Sequence, residues 1–564
     1  MKRRDQSQTE QLRKALADRE AQLHEAQTRL AALEGSTSLQ VGRALTGAAK
    51  RPARGLVRLP RELYRLWRGS TRTNQIGARR RRTAEPSRSY DAERQEARLL
   101  SGTPGTHDSR IVVAGVLSPE ARAAIEPYAR IVPLRPHDAQ VVFDSVDVDL
   151  VLVTASAAEP GTAWAHIGDP AAADRTRALR WVIDAAASRG VPSVLVQDAP
   201  APPALATLGF DHVHDDDLGV PLHRFNPVAA EPERVPTPVH VPSAGRPVPL
   251  PPALAEQDLT RATVRWDGLP ETLRTASTAV VGTAWLADRA LACGARALLV
   301  GARPESGLPE QATRTGATPQ DLAGVVADGP LTPGETRRAL RAIFLARATP
   351  VRLAEILGQV HLAPGSGADT LPLTGRAVAV LAAPADDIAS LAFADDVLRQ
   401  LHAPTEVVVP EACTEFAGVK RLQARGLTVR TVADATVGRS RADWARLAET
   451  ATTPWVALWT GPVGEAFLAD ALCAAECSGA DAVGPAVTPG GAVEDGARPD
   501  DLDWAVAGQE YVFVSEIRPD VARRELVRKA LHPGVWNRHG ARLLALGRLR
   551  SAGRDNEPDH AHAA

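Results

Sequence analysis

The chain reads VDLVLVTAS at residues 148–156, ADRTRALRWVIDAAASRG at 173–190 and VPSVLVQD at 191–198. The first and last segments contain short continuous apolar runs, as in strands that are buried on both faces, whereas the middle segment has the length and composition of a helix. RIVVAGVL at 110–117 is another strand of this kind. Strands that alternate with helices in this way predict a parallel sheet covered by helices, which is a Rossmann-like lobe.

The same alternation occurs twice more along the chain. In the second region, the strand TAVVGT (278–283) precedes the helix WLADRALACG (285–294) and the strand ARALLVG (295–301). A third region begins with RAVAVLAAP (376–384) and includes the later strand PWVALW (454–459). We therefore expect an α/β protein with two Rossmann-like lobes and a third α/β domain.

The segments between these regions complete the predicted organisation. A Pro-rich stretch near residues 226–258 is expected to form neither a ladder nor a helix and is predicted to link the lobes. In chain order we expect a coiled-coil helix (1–40), a basic amphipathic helix (41–68), a linker (69–108), a first lobe (109–225), the Pro-rich linker (226–258), a second lobe (259–365), a third domain (374–550) and a disordered tail (551–564).

The two leading helices differ in charge and in expected partner. Residues 41–68 place arginines on one helical stripe and leucines with Trp67 on the other, a pattern that suits an anionic membrane surface or docking onto the protein's own body. Residues 1–40 place leucines at heptad core positions, which predicts a short coiled coil and a homodimer, with a single solvated helix as the alternative. These leucines are Leu12, Leu16, Leu23, Leu30 and Leu33.

Composition excludes several classes of protein. The 564 residues include 44% hydrophobic and 24% charged residues, the ordinary balance of globular domains. Lys+Arg 66 and Asp+Glu 67 leave a net charge of −1, so nothing in the overall charge favours nucleic acid. The 4 cysteines form no CxxC pair and no zinc-type spacing. Without a signal-type apolar segment, the expected location is the cytoplasm, including the inner face of the membrane as a peripheral site.

Several segments between residues 109 and 360 resemble the CgeB-like (spore maturation protein) glycosyltransferases. They are VDVDLVLVTASAAEPGTAW (146–164), VPSVLVQDAP (191–200), FDHVHDDD (210–217), RALACGARALLVG (289–301) and TPVRLAEIL (349–357). The resemblance implies a GT-B architecture, with two lobes and a nucleotide-sugar donor held mostly by the second lobe. In that family a Glu just before the Ala-Leu-Ala-Cys-Gly segment binds the donor ribose. The resemblance therefore implies donor contacts from Asp288, Arg289, Cys293 and Gly294, although Arg289 replaces the family's Glu.

The third domain resembles the GT-A family 2 transferases, through PTEVVVPE (404–411), PWVALW (454–459) and FLADALCAAECSGADAVG (467–484). In that family an acidic cluster that binds metal and diphosphate follows the strand matching PWVALW. Here Thr460 begins the corresponding segment, and Glu465 is its first carboxylate. Metal binding to diphosphate requires hard oxygen ligands, so we expect a degenerate domain without a metal.

Two groups of residues are predicted to perform chemistry. Gly282 and Thr283 lie between a strand and a helix, where backbone amides can hold phosphates; an ordinary strand-to-helix turn is the alternative. Asp198 follows a strand at the sheet edge where ligands collect, and His212 lies beside carboxylates, so both are candidate bases. A polar loop with His212 hydrogen-bonded at the sheet edge is the alternative for the second candidate.

The expected function follows from the resemblance. It is transfer of a sugar from a nucleotide-sugar to a cell-envelope or surface glycan, with no cofactor and no metal. The alternative is an inactive homologue that acts as a scaffold for other glycosyltransferases.

Overall fold

The computed structural model describes the central part of the chain. The chain divides into two compact units, residues 1–95 and 96–564, and every described residue belongs to the second. The predicted coiled coil, basic helix, linker (69–108) and tail lie outside the described residues. The described residues are 110–228, 230, 233–242, 250–261, 266–301, 312–360, 372–433, 440–485, 487 and 517–546.

The first lobe is a five-stranded parallel sheet. The strands lie in the order β2-β1-β3-β4-β5, and all four neighbouring pairs are parallel. Because its central strands are covered on both faces, every residue of the LVLVT strand is buried. The strands are β1 (Val112–Val116), β2 (Arg130–Pro133), β3 (Leu150–Thr154), β4 (Ser193–Val196) and β5 (His212–His214), and the helices are α1 (Pro119–Ile125), α2 (Ala139–Ser145), α3 (Ala173–Ser188) and α4 (Pro203–Ala206).

The second lobe repeats this design with the strand order β10-β9-β8-β6-β7, again all parallel. The prediction that the stretch 226–258 forms neither a ladder nor a helix is wrong at Val239–Val241, which pairs with two strands of this sheet, and at Pro252–Ala255, which is a short helix. Its helix α9 begins with a capping box, in which Thr332 and Glu335 satisfy each other's backbone N–H groups. The strands are β6 (Val239–Val241), β7 (Thr260–Arg261), β8 (Thr278–Val281), β9 (Arg296–Leu299) and β10 (Thr313–Thr315), and the helices are α5 (Pro252–Ala255), α6 (Leu269–Thr275), α7 (Ala284–Ala292), α8 (Pro319–Ala327), α9 (Pro333–Ala346) and α10 (Thr349–Gln359).

The third domain contains a seven-stranded sheet in the order β13-β12-β11-β14-β16-β15-β17. Only β16 runs antiparallel to its neighbours. The strands are β11 (Val378–Ala382), β12 (Glu406–Pro410), β13 (Thr428–Val432), β14 (Trp455–Trp459), β15 (Ala482–Gly484), β16 (Val521–Arg523) and β17 (Leu543–Ala545), and the helices are α11 (Asp387–Arg399), α12 (Ala417–Ala424), α13 (Arg441–Thr450), α14 (Phe467–Ser478), α15 (Arg524–Arg528) and α16 (Pro533–Trp536).

Five 3₁₀ turns complete the described secondary structure. They are Ala155–Ala158, Pro170–Ala172, Pro372–Arg376, Glu411–Cys413 and Asn537–His539.

Helix α10 ties the two lobes together. It follows the last helix of the second lobe in sequence, but Leu353, Ile356 and Leu357 pack into the core of the first lobe. At the crossing, Val220 forms a parallel bridge with Ala348. The chain therefore passes between the lobes twice.

Helices α9 and α14 join the second lobe to the third domain. Arg341 on α9 forms two charge-assisted hydrogen bonds of 2.7 Å with Asp470 on α14. Farther along α14, Glu476 binds Arg376 and accepts a 2.7 Å hydrogen bond from Tyr128 of the first lobe. Since these groups are mostly buried, the three sheets form one packed assembly.

The prediction of an α/β protein is confirmed: the described residues form three parallel-rich sheets, an arrangement consistent with Rossmann-like domains. Among the described residues, no helix combines the length and apolar character that a membrane crossing requires.

Candidate functional site

A cavity lies between the two lobes, at the carboxyl ends of their strands. Its volume is about 40 Å³. Since one water needs roughly 10–15 Å³ by this measure, the cavity holds about three waters. The described residues that line it are Glu120, Ala121, Ala124, Ser156, Glu159, Asp198, Ala199, Asp217, Leu218, Trp285 and Arg289.

Arg289 of the second lobe closes this cavity. Its Nη1 lies 3.0 Å from Oδ2 of Asp217, and its Nη2 lies 3.3 Å from Oε1 of Glu120 in the first lobe. The guanidinium also lies 4.5 Å from the centre of the Trp285 ring. Burial opposes its charge, but Glu120 and Asp217 outweigh burial and raise the pKa of Arg289. We call Arg289, Asp217 and Glu120 the interlobe latch.

Asp198 is the carboxylate of the cavity with the clearest chemical potential. It follows β4, and its carboxylate accepts hydrogen bonds from the backbone N–H of Ser156 at 2.9 Å and from the Ser156 hydroxyl. Burial raises the pKa of Asp198 to about 6, against the opposing effect of these hydrogen bonds. A carboxylate with this pKa is mostly ionised at neutral pH and accepts a proton more readily than an ordinary aspartate.

The remaining acidic residues make the cavity rich in negative charge. Glu120, Glu159, Asp198 and Asp217 line it together with a single described arginine, Arg289. Burial, and then the nearby Glu120, raises the pKa of Glu159. Among the described residues, no group of three or more His, Cys, Asp or Glu side chains is arranged to hold a metal ion.

His212 lies outside the set of described residues that line the cavity. It is the first residue of β5 and pairs with Val194, two positions before the end of β4. Its Nε2 is buried and has no hydrogen-bond partner among the described residues. The neighbouring Asp211 accepts 2.8 Å hydrogen bonds from the backbone N–H and the hydroxyl of Ser193. Asp211 therefore holds β4 and β5 together.

Gly282 and Thr283 form the turn between β8 and α7, as the strand-to-helix pattern predicts. Thr283 is the N-cap residue of α7, but its side chain makes no capping hydrogen bond. Its buried Oγ1 finds no hydrogen-bond partner in the part of the chain that the structure describes. This helix start lies two residues before Trp285 and six before Arg289, both of which line the cavity.

The other three residues implied by the resemblance have structural contacts. Asp288 forms a buried ion pair with Arg347, with a shortest distance of 2.9 Å. The buried thiol of Cys293 contacts the backbone of Pro270, and burial raises its pKa to about 11. Gly294 has a φ of +81°, and a Cβ there would lie 2.6 Å from Nη2 of Arg234. The positive φ favours glycine at the end of α7, and a Cβ there would also displace the Arg234 guanidinium.

In the third domain, the segment after β14 is organised by a buried carboxylate from α11. Oδ2 of Asp396 accepts hydrogen bonds from the Trp459 indole at 3.1 Å and from the backbone N–H of Val463 at 3.2 Å. The segment itself supplies Thr460, Gly461 and Pro462, whose side chains carry no carboxylate. Asp396 therefore holds a segment that has no carboxylate before Glu465.

Sequence reasoning missed Glu120, Ser156, Glu159 and Trp285. Glu120 lies in the first turn of α1, just after β1, and Ser156 follows β3 directly. The rule that identified Asp198, that groups at the carboxyl ends of parallel strands converge, applies equally to both. Asp217 belongs to the acidic triplet visible in the sequence, but nothing local identifies its partner, which lies 72 residues away.

No protein-family model matches this chain, and no curated protein has a significant match to it.

Proposed function

We propose that this protein transfers a sugar from a nucleotide-sugar donor to a cell-envelope or surface glycan acceptor, in the cleft between its two lobes. The observation that carries the proposal is the position of Asp198. It lies at the carboxyl end of β4 in the cleft, has a pKa of about 6, and faces a cavity that also contains Arg289 of the other lobe. Asp198 of the first lobe thus supplies a base, and Arg289 of the second lobe supplies a cation, in the same cavity.

In the proposed reaction, the acceptor hydroxyl oxygen attacks the anomeric carbon of the donor. The bond between that carbon and the diphosphate oxygen breaks, and the nucleoside diphosphate leaves with the electron pair. Asp198 takes the proton of the attacking hydroxyl, while Ser156 orients its carboxylate through two hydrogen bonds. Positioned proton transfer of this kind contributes about 10²–10⁴-fold to rate.

The leaving diphosphate requires positive charge and N–H donors from the second lobe. The start of α7 at Gly282 and Thr283 offers backbone amides and an unpaired hydroxyl. Arg289 lies less than two turns farther along the same helix. In this proposal Arg289 exchanges its contacts with Glu120 and Asp217 for contacts with the diphosphate.

The proposal requires the lobes to separate before the donor binds. A cavity of about 40 Å³ admits a few waters and excludes a nucleotide-sugar. The interlobe latch is the contact that must open, and the two chain crossings near Val220 and Ala348 form the natural hinge. Lobe motion of this kind commonly sequesters a reaction from water.

The arrangement of the three sheets also supports the proposed reaction class. Two facing parallel sheets suit a GT-B-like pair of lobes, and the mixed third sheet suits a degenerate GT-A-like domain. Fold analogy supports only a reaction class, so donor and acceptor identity rest on the family resemblance. The predicted homodimer and membrane contact belong to the leading helices and remain predictions.

The test is release of nucleoside diphosphate from UDP-, GDP- and TDP-sugars by the purified protein, with membrane glycan extract as acceptor. We expect Asp198→Asn to lower turnover about 100-fold or more, because it removes the base. Asp184→Asn is the matched control, because this exposed aspartate on α3 lies outside the cleft. Equal turnover in wild type and Asp198→Asn would refute the assigned role.

A second candidate is a noncatalytic scaffold that organises other glycosyltransferases. Two observations favour it: Arg289 occupies the position of the family's ribose-binding Glu, and Thr460 begins a segment without an acidic cluster. The scaffold predicts no binding of any nucleotide and co-purification with active transferases from a membrane fraction. Base-selective nucleotide binding would exclude it in favour of the enzyme.

A further inference from the structure

A second and larger cavity lies in the third domain, away from the interlobe cleft. Its volume is about 260 Å³. It opens beside the end of β14, between α13 on one side and α15 with α16 on the other. We call it the tryptophan cavity and define it by Arg441, Trp444, Leu458, Arg518, Val527 and Trp536.

The inner wall of the tryptophan cavity is fixed by core packing. Trp444, Leu458 and Trp536 are at most 6% exposed and belong to one hydrophobic cluster of the third domain. The Trp536 indole donates a 3.2 Å hydrogen bond to the carbonyl of Leu531, which fixes its ring. An apolar cavity of about 150 Å³ accepts benzene, so this one has room for a ring or short chain with a polar substituent.

Positive charge lies at the mouth of the cavity. Arg441 begins α13 and Arg518 precedes β16, and both side chains are exposed. Within the described residues neither guanidinium forms an ion pair, and no carboxylate lines the cavity. This contrasts with Arg289 in the cleft, whose charge is neutralised by two carboxylates.

We propose that the tryptophan cavity binds a small organic anion whose apolar body enters the cavity between Trp444 and Trp536 and whose anionic group lies between Arg441 and Arg518. The apolar wall provides affinity for a ring or short alkyl chain, and the two guanidinium groups select a phosphate or carboxylate. This site requires no metal and is separate from the cleft proposed for sugar transfer.

Calorimetric titration of the full chain tests the proposal with three probes. Phenyl phosphate represents a ring body, hexyl phosphate represents a chain body, and inorganic phosphate lacks an apolar body. We expect one or both organic phosphates to bind with a 1:1 stoichiometry and at least tenfold tighter than inorganic phosphate. Which of the two binds more tightly identifies the body that the cavity prefers.

Substitutions locate the binding. Arg441→Gln and Arg518→Gln should each weaken the preferred probe about tenfold or more, because each removes a charge-assisted contact from an exposed side chain. Arg425→Gln, an exposed arginine after α12 in the same domain, is the matched control and should leave binding unchanged. Absence of binding by both organic phosphates, equal binding of inorganic phosphate, or unchanged binding in both cavity variants would overturn the proposal.

Discussion

The interlobe cleft and the tryptophan cavity differ in size, in charge and in what their arginines contact. The interlobe cleft measures about 40 Å³ and is lined by four carboxylates around Arg289. The tryptophan cavity measures about 260 Å³, and no carboxylate among the described residues lines it. Arg289 is 5% exposed and ion-paired, whereas Arg441 is exposed.

The arginine of the cleft is ion-paired with carboxylates, whereas the arginines of the tryptophan cavity form no ion pair among the described residues. In the cleft, ligand binding competes with the ion pairs of Arg289, so any ligand must replace favourable contacts. In the tryptophan cavity the wall packs into the domain core, and within the described residues the arginines have no ion pair to break, so binding needs little rearrangement. Substitution of the two kinds of arginine should therefore have different consequences for stability.

The largest expected effect on stability is that of Arg289→Gln. Removing the guanidinium leaves Asp217 and Glu120 facing each other without a cation, which should lower the free energy of unfolding by about 3–5 kcal/mol. Urea unfolding monitored by tryptophan fluorescence measures this change. Arg425→Gln should differ from wild type by less than about 0.5 kcal/mol. A loss below about 1 kcal/mol for Arg289→Gln would mean that the latch contributes little to closure.

Asp198→Asn should stabilise the protein at neutral pH. Burial raises the pKa of Asp198 from 3.8 to about 6, so the folded state holds its proton to a higher pH than the unfolded state. The free energy of unfolding of the wild type therefore falls as pH rises from about 4 to about 6, and the whole of this loss is present above that range. Asp198→Asn should therefore raise the free energy of unfolding at pH 7.5 by about 1–2 kcal/mol. This is less than the free energy equivalent to the whole pKa shift, because the side chain is partly exposed.

Thermal unfolding of Asp198→Asn and wild type at pH 4.5 and pH 7.5 measures this dependence. The gain in melting temperature should shrink at the lower pH, where the wild-type side chain is protonated in the folded state. Asp184→Asn should show no such dependence, because this aspartate is exposed. An equal gain in melting temperature at both pH values would mean that the pKa of Asp198 in the folded state is that of an ordinary aspartate.

Gly294→Ala should cost about 1–3 kcal/mol, because alanine is strained at a φ of +81° and its Cβ would displace the Arg234 guanidinium. That guanidinium donates 2.9 Å hydrogen bonds to the carbonyls of Ala276 and Cys293. Gly190→Ala is the matched control, since Gly190 also has a positive φ but an open surrounding. Equal costs in thermal unfolding would show that Arg234 adjusts freely.

Arg441→Gln should have the smallest effect on stability, within about 0.5 kcal/mol of wild type, since its side chain is exposed and unpaired among the described residues. The same urea unfolding experiment measures it. A loss above about 1 kcal/mol would mean that Arg441 supports the fold, and the contrast with Arg289 would fail.

The sequence allowed much of the fold to be predicted, because buried parallel strands and long helices have strong local patterns. The segment 148–198 contains β3, α3 and β4 where apolar runs and helical composition indicated them. Asp198 was identifiable because its position depends only on the end of a strand. His212 was a candidate because carboxylates flank it in the sequence. It begins β5, however, and is not among the described residues that line the cleft.

What the sequence could not supply depends on contacts between distant residues. Arg289 is visible in the sequence, but its role as a latch depends on Glu120, 169 positions earlier by residue number. The tryptophan cavity combines α13 with α16, and nothing local indicates that Trp444 and Trp536 line the same space. Gly294 was interpreted through a family motif, whereas its φ and its contact with Arg234 explain it structurally.

The central claim, that the interlobe cleft binds a nucleotide-sugar, is tested most directly by a thermal-shift screen against UDP, GDP, TDP and their common sugar conjugates. A ligand that binds only the folded state must raise its melting temperature, by RT ln(1 + [L]/Kd) in free energy. We expect a base-selective rise in melting temperature that Thr283→Val reduces and Arg441→Gln preserves. Absence of a rise with every nucleotide, or a rise that Arg441→Gln abolishes and Thr283→Val leaves intact, would contradict it.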